Sequence, residues 1–280
     1  MLLDVAKKDE RIRAVLLNGS RANPTGKKDK FQDFDIVYIV DKLESFLNDP
    51  SWIDIFGERI ILQTPDQMEI VKDHSNDPSF TWLMLFKDKN RIDLTLFPID
   101  RIEGEFEPDS LTVSLLDKDD LFSTLPAPGN TDYLIRQPTE KSFADCCNEF
   151  WWVCTYVAKG LWREEIIYAK DMLEKPVREM FLKIVEWYIG IETGFAVSFG
   201  KSGKNMKTHL SPELYNSILS TYPNADAKEI WRSLFTMTGI FSDIAKKVAA
   251  KSGFEYNSDE EYNVKEYLKW TFSLTKENDD

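Results

Sequence analysis

Histidine is nearly absent from the 280-residue chain: His74 and His209 are the two, far apart and without a partner pattern. That argues against a histidine-built metal centre and against a Ser-His-Asp triad. Cysteine is almost as scarce. Cys146, Cys147 and Cys154 fall in one helix-like segment with no C-x-x-C and no second cluster, so neither a zinc site nor a disulfide framework is expected. They read as core filler in a reducing cytoplasm. No apolar run approaches the ~18 residues that span a bilayer, so no membrane segment is expected. The start, MLLDVAKKDE, lacks the apolar stretch of a signal peptide, and a cytoplasmic location is expected. Positive charge is also short, with 35 Lys and Arg against 48 Asp and Glu, a net −13. Such a balance speaks against nucleic acid as the partner. It suits a polycationic substrate, although solubility alone explains it as well.

What is present divides the chain in two. Apolar, β-branched and aromatic runs at 12–17, 33–40, 59–63, 80–86, 91–97 and 111–116 predict strands. Helices are expected over 1–10, 41–56 and 65–73. The turn-rich stretch Pro126-Ala127-Pro128-Gly129-Asn130 suits a domain boundary. Beyond it apolar residues recur at helical spacing over 139–159, with Thr139 as the cap, and over 163–195, 211–221, 226–252 and 259–275. Residues 276–280 read as a polar tail. The expected fold class is α+β. A first domain over 1–130, a mixed β-sheet with helices on one side, precedes an α-helical domain over 131–280.

Three pieces of the first half belong together chemically. Gly19-Ser20 follows a strand, Asp33-x-Asp35 opens the next strong strand, and Asp93 interrupts the apolar strand Arg91-Ile92-Asp93-Leu94-Thr95-Leu96-Phe97. Residues two apart on a strand share a face, so Asp33 and Asp35 point the same way. Clustered ionised carboxylates repel and are costly to bury, and a bound cation relieves both problems. Oxygen-only ligands point to Mg²⁺, which binds carboxylates together with substrate phosphates. Two such ions suit in-line displacement at phosphorus. Glycine lets backbone approach a phosphate, and the Ser20 hydroxyl can donate to its oxygens.

The segment LLNGSRANPTGKKDKFQDFDIVYIVD resembles the signature of the DNA polymerase β-like nucleotidyltransferases: Gly-Ser, a spacer, Asp-x-Asp and a later third carboxylate. More narrowly, NGSRAN, DFDIVY, DLTLFP and LLDKD resemble the aminoglycoside 6-adenylyltransferases, the streptomycin-modifying branch. The likeness runs on through WWVCTYVAKGLWREEIIYAKDML and VSFGKSGKNMKTHLSPELY and so covers nearly the whole chain. It implies transfer of AMP from ATP to a streptidine hydroxyl of streptomycin, with pyrophosphate released and resistance conferred. On that likeness Asp33 and Asp35 ligate Mg²⁺, and Asp93 is a third ligand or the base. Gly19, Ser20 and Arg21 would hold the triphosphate. The rival readings are another acceptor (antibiotic, protein or RNA) and a regulator that binds nucleotide without catalysis.

Weaker signals complete the reading. Gly194 to Ser202 imitates a phosphate-binding P-loop, but with one residue too many between its glycines and a helix, not a strand, before it. Lys201, Lys204 and Lys207 still form a basic loop, and Lys204 is a candidate for the triphosphate, as is Lys170. Glu164, Glu165 and Asp171 are candidates for the cationic groups of an aminoglycoside, with Glu165 and Asp171 preferred. Trp151, Trp152, Trp162, Trp187 and Tyr188 recur near helical spacing and read as core rather than binding surface. A monomer or weak dimer, with no nucleic acid and no membrane partner, completes the expectation, as does an active cleft between the two domains.

Overall fold

Strands form where the β-branched and aromatic runs lie: β1 (Ile12–Asn18), β2 (Phe34–Val40), β3 (Arg59–Gln63), β4 (Phe80–Phe86), β5 (Arg91–Pro98) and β6 (Val113–Asp117). Between them stand four short helices, α1 (Leu2–Lys8), α2 (Gly19–Ala22), α3 (Glu44–Leu47) and α4 (Ile102–Glu105). The computed structural model describes residues 1–26, 28–70 and 78–277, the side chains of 275–277 excepted. Contacts divide the chain into two units, Met1–Asp132 and Tyr133–Asp280.

In the first unit the six strands make one mixed sheet in the order β3-β4-β5-β2-β1-β6. β2 and β5 run parallel, and every other neighbouring pair is antiparallel. The alternation of side chains then separates two faces. Ile36, Tyr38 and Val40 of β2 join Ile92, Leu94 and Leu96 of β5 on the face covered by Ala6, Phe46, Ile53 and Phe56. Each such fully buried aliphatic side chain contributes about 1.5–3 kcal/mol. On the opposite face Val37 and Ile39 pack with Ala14, Leu16, Phe97 and Phe122 in a smaller cluster. Asp35 and Asp93 continue this second face by parity.

Departures from the expected elements have local causes. The helix expected over 41–56 breaks at Asn48-Asp49-Pro50, where Asp49 caps the Ser51 N–H and Pro50 opens a 3₁₀ segment to Phe56. Of the helix expected over 65–73, one turn forms, Pro65–Gln67; 71–73 and His74 lie outside the described residues. β6 starts at Val113, after a turn in which the Thr112 N–H donates to Asp109 O at 3.1 Å. The run 163–195 resolves into α6 (Ile166–Met172), a wide turn Leu173–Val177 and α7 (Arg178–Glu192). Pro176, which has no N–H to continue the ladder, lies in that wide turn.

The second unit is helical throughout. α5 (Glu140–Trp162) starts at Thr139, which forms a reciprocal capping box with Ser142. α8 (Pro212–Leu219), α9 (Ala227–Ser252) and α10 (Ser258–Glu277) follow α7. Asp226 caps α9 at one end, and left-handed Gly253 ends it at the other. Phe150 of α5 and Phe241 of α9 stack face to face with ring centroids 3.6 Å apart. All three cysteines are free and buried, and burial pushes the Cys146 thiol up to about 12. The tryptophans divide: Trp151 and Trp187 are core, whereas Trp152 and Trp162 are exposed. None of the described helices is long and apolar enough to cross a membrane.

One buried charge ties three of these helices together. Glu261 of α10, 6% exposed, accepts from Ser242 Oγ of α9 at 2.6 Å. Its ion pairs reach Lys246 at 2.8 Å and Lys265 at 2.5 Å, and the adjoining Tyr256 hydroxyl receives the Trp151 indole N–H of α5. Burial alone would raise this carboxyl, but the donors from Lys246, Lys265 and Ser242 outweigh it and hold the group at about 2. A depressed carboxylate stabilises the fold above its unfolded pKa, and that contribution fades as pH falls from about 4.5 toward 2. Glu261→Gln should therefore lower the unfolding free energy at pH 7 by about 1–3 kcal/mol. Urea titrations should show the difference closing below pH ~4; a constant difference across that range would contradict the assignment.

Candidate active site

Strand pairing assembles the site. The parallel register of β2 on β5 sets Asp35 opposite Asp93, and the antiparallel register of β1 on β2 sets Asn18 opposite Asp35. Neighbouring strands lie about 4.8 Å apart, so Asp35 and Asp93 leave the sheet side by side on one face. Asp33 sits two residues before Asp35, just ahead of β2. The three carboxylates of the sequence motif thus come to one edge of one sheet face.

Gly19 makes room for them. Its φ is +70°, a left-handed conformation natural to glycine. A Cβ there would strike Asp35 Oδ2 and lie 3.2 Å from Asp35 Cγ. The carboxylate therefore lies directly over bare backbone, with the exposed Ser20 alongside. Arg21 does not reach outward. It donates to the carbonyls of Gln32 (2.7 Å) and Asp33 (3.0 Å), and its guanidinium covers the Phe34 ring at 3.7 Å. Gln32 in turn donates to Ser20 O at 3.1 Å. The chain entering β2 is clamped to the turn leaving β1.

Electrostatics match the geometry. Burial first, then the charges of Asp93, Asp33 and Asp109, push Asp35 up to about 6, with Arg91 partly opposing. Arg91 lies two residues before Asp93 on the same face of β5. It donates to both oxygens of Asp93, each at 2.7 Å, and its Nη1 is 3.6 Å from Asp33 Oδ2. Three carboxylates face one guanidinium.

Sequence reading passed over Arg91, although the parity argument applied to Asp33-x-Asp35 finds it equally in Arg91-x-Asp93. Asp109, which also acts on Asp35, lies in the loop before β6 and has no local pattern to reveal it.

Among the described residues no three His, Cys, Asp or Glu side chains already form a cation cage. The donor set nevertheless fits a hard divalent cation. It is all oxygen, half-buried and in excess negative charge, and burial first, then the neighbouring carboxylates, raise the Asp35 carboxyl above its usual range.

The remaining candidates lie in the second unit. Lys170 donates to Pro223 O at 2.8 Å and to Glu174 at 3.3 Å. Asp171 pairs with Lys175 at 2.6 Å. Glu165, at the start of α6, is exposed and has no ion pair among the described residues. Lys201, Lys204 and Lys207 are exposed on a tight loop following α7, likewise without ion pairs among the described residues. Asn205 braces that loop through Ser198 O at 3.1 Å.

Comparison with known proteins shows the family of the chain. The sequence profile of a family described as streptomycin adenylyltransferase matches residues 1–271. An aminoglycoside 6-adenylyltransferase of Campylobacter jejuni is 43% identical over 256 residues, 91% of this chain and 88% of that protein. One of Bacillus subtilis is 40% identical over 277 residues, 99% of this chain and 97% of its own. One of Staphylococcus aureus is 33% identical over 270 residues, 96% and 95% respectively.

The raised Asp35 makes a testable demand on stability. A carboxyl whose folded pKa is about 6 binds its proton more tightly folded than unfolded, so it destabilises the fold once both states are ionised. In metal-free buffer at pH 7, Asp35→Asn should be more stable than wild type by about 1–2 kcal/mol after solvent screening. That advantage should shrink as pH falls through 6 toward 4. Thermal unfolding checks it, and a less stable Asn variant at pH 7 would show that the crowding is absent.

Proposed function

The chain belongs to the streptomycin adenylyltransferase family and is a nucleotidyltransferase, and from this premise we propose that it transfers AMP from ATP to an aminoglycoside. Streptomycin is the proposed acceptor, at the 6-hydroxyl of its streptidine ring, and pyrophosphate is the second product. The bond formed is acceptor oxygen to the α-phosphorus. The bond broken joins that phosphorus to the oxygen bridging to the β-phosphate, and the hydroxyl proton passes to a carboxylate. The observation that carries the reading is the pairing of Asp35 with Asp93 across parallel strands, directly over Gly19.

Asp33, Asp35 and Asp93 would hold Mg²⁺, which when bound neutralises phosphate charge and lowers the pKa of the attacking hydroxyl. The rest is work for the chain's own residues. Bare backbone at Gly19 admits the triphosphate close to the carboxylates, and the Ser20 hydroxyl donates to a phosphate oxygen. Arg21 acts by holding the loop before Asp33 in place. Asp93 serves as the third ligand or as the base. Lys204, exposed and without an ion pair among the described residues, is free to meet phosphate oxygens. Lys170 would first have to leave the Pro223 carbonyl. Glu165 and Asp171 offer carboxylates to the guanidinium groups of the acceptor, pairs in which a fork of donors meets two oxygens.

Purified protein with ATP, Mg²⁺ and a panel of aminoglycosides should release pyrophosphate and yield adenylylated streptomycin. Asp35→Asn should reduce kcat by about 10³-fold. Lys204→Ala should raise KM for ATP several-fold, roughly, with kcat nearly unchanged. No turnover of any aminoglycoside would refute the acceptor, and full activity in Asp35→Asn would refute the role of the carboxylates.

A further inference from the structure

Arg91 occupies an unusual place for a residue beside a cation-binding carboxylate set. Both oxygens of Asp93 accept its hydrogen bonds at 2.7 Å, and the same guanidinium stands 3.6 Å from Asp33 Oδ2. Its positive charge therefore lies among the acidic side chains that the proposed function assigns to a divalent cation. Each Asp93 oxygen keeps a second lone pair, but a divalent cation drawn to these carboxylates would stand beside the guanidinium, and the two positive charges repel.

Arg91 is also well suited to leave. Its side chain is 43% exposed, whereas that of Asp93 is 18% exposed. The arginine has a long, rotatable stem reaching into water, so its departure disrupts no packed core. The carboxylate, set in the middle of the sheet opposite Asp35, has far less freedom.

We propose that Arg91 is a built-in counter-cation of this site: it balances the clustered carboxylates in the resting protein and is displaced when a divalent cation enters. The inference rests on the assignment of Asp33, Asp35 and Asp93 as cation ligands. It adds that cation affinity is limited by an internal competitor. Loading with metal then requires that the guanidinium move away from the carboxylates.

The test is Mn²⁺ binding to the whole protein without nucleotide, followed by calorimetry or by the loss of the free-ion electron paramagnetic resonance signal. Arg91→Gln, which cannot bring positive charge to the carboxylates, should bind Mn²⁺ about five- to tenfold more tightly than wild type. Arg91→Lys, which keeps the charge but loses the two-pronged donor, should fall between them. A merely structural ion pair predicts the opposite, because freeing Asp93 would loosen the site and weaken binding. Equal or weaker Mn²⁺ affinity in both variants therefore overturns the proposal. Asp35→Asn separates this failure from that of the underlying reading. If it abolishes binding while the Arg91 variants match wild type, the carboxylates are ligands and Arg91 is no competitor. If Mn²⁺ binds Asp35→Asn as it binds wild type, the ligand assignment falls, and this inference with it.

Discussion

The parallel pairing of β2 with β5 is the constraint on which the first unit turns. Among the described residues it is the one parallel pairing in a sheet otherwise antiparallel, and its register sets Asp35 directly beside Asp93. Burial first, and then repulsion between carboxylates at strand spacing, raises the proton affinity of Asp35. The surrounding features answer this crowding. Arg91 supplies the compensating charge, Gly19, having no side chain, leaves room for Asp35, and Arg21 clamps the loop that delivers Asp33. The apolar residues alternating with the acidic ones (Phe34, Ile36, Ile92 and Leu94) anchor the same strands on the opposite face.

The chemistry was legible in the sequence where it depended on strand parity. Asp33-x-Asp35 and the lone Asp93 in an apolar strand state by themselves that carboxylates share a face. What brings the two strands into register is the β2–β5 pairing, a non-local contact that no local pattern encodes. The likeness to a known family grouped the three carboxylates in advance but said nothing of that register. Arg91 was readable by the same parity and was passed over, because an arginine at the start of a strand looks like ordinary solvation. Arg21 shows the converse. Next to Gly19-Ser20 it reads as a phosphate ligand, yet its guanidinium is engaged by the carbonyls of Gln32 and Asp33, partners eleven and twelve residues away that sequence spacing does not reveal.

Element boundaries failed where turn chemistry overrode periodicity. Pro50 interrupts helix that apolar spacing predicts as continuous by starting a 3₁₀ segment, whereas around Pro176 the helix runs on through one wide, π-type turn. The long helices of the second unit were easy because cap and period agree: Thr139 and Asp226 at the starts, Gly253 at an end. Its buried Glu261 network was not legible, since a glutamate among the charges of Asp259, Glu260 and Lys265 looks like a solvated face.

The central claim is that Asp33, Asp35 and Asp93 together hold divalent cation at the nucleotide phosphates. Anomalous scattering from crystals grown with Mn²⁺ and a non-hydrolysable ATP analogue tests it most directly. The account predicts a manganese peak among those three carboxylates with the triphosphate over Gly19. A fully occupied nucleotide with its manganese held elsewhere, and Asp93 still on Arg91, would contradict it.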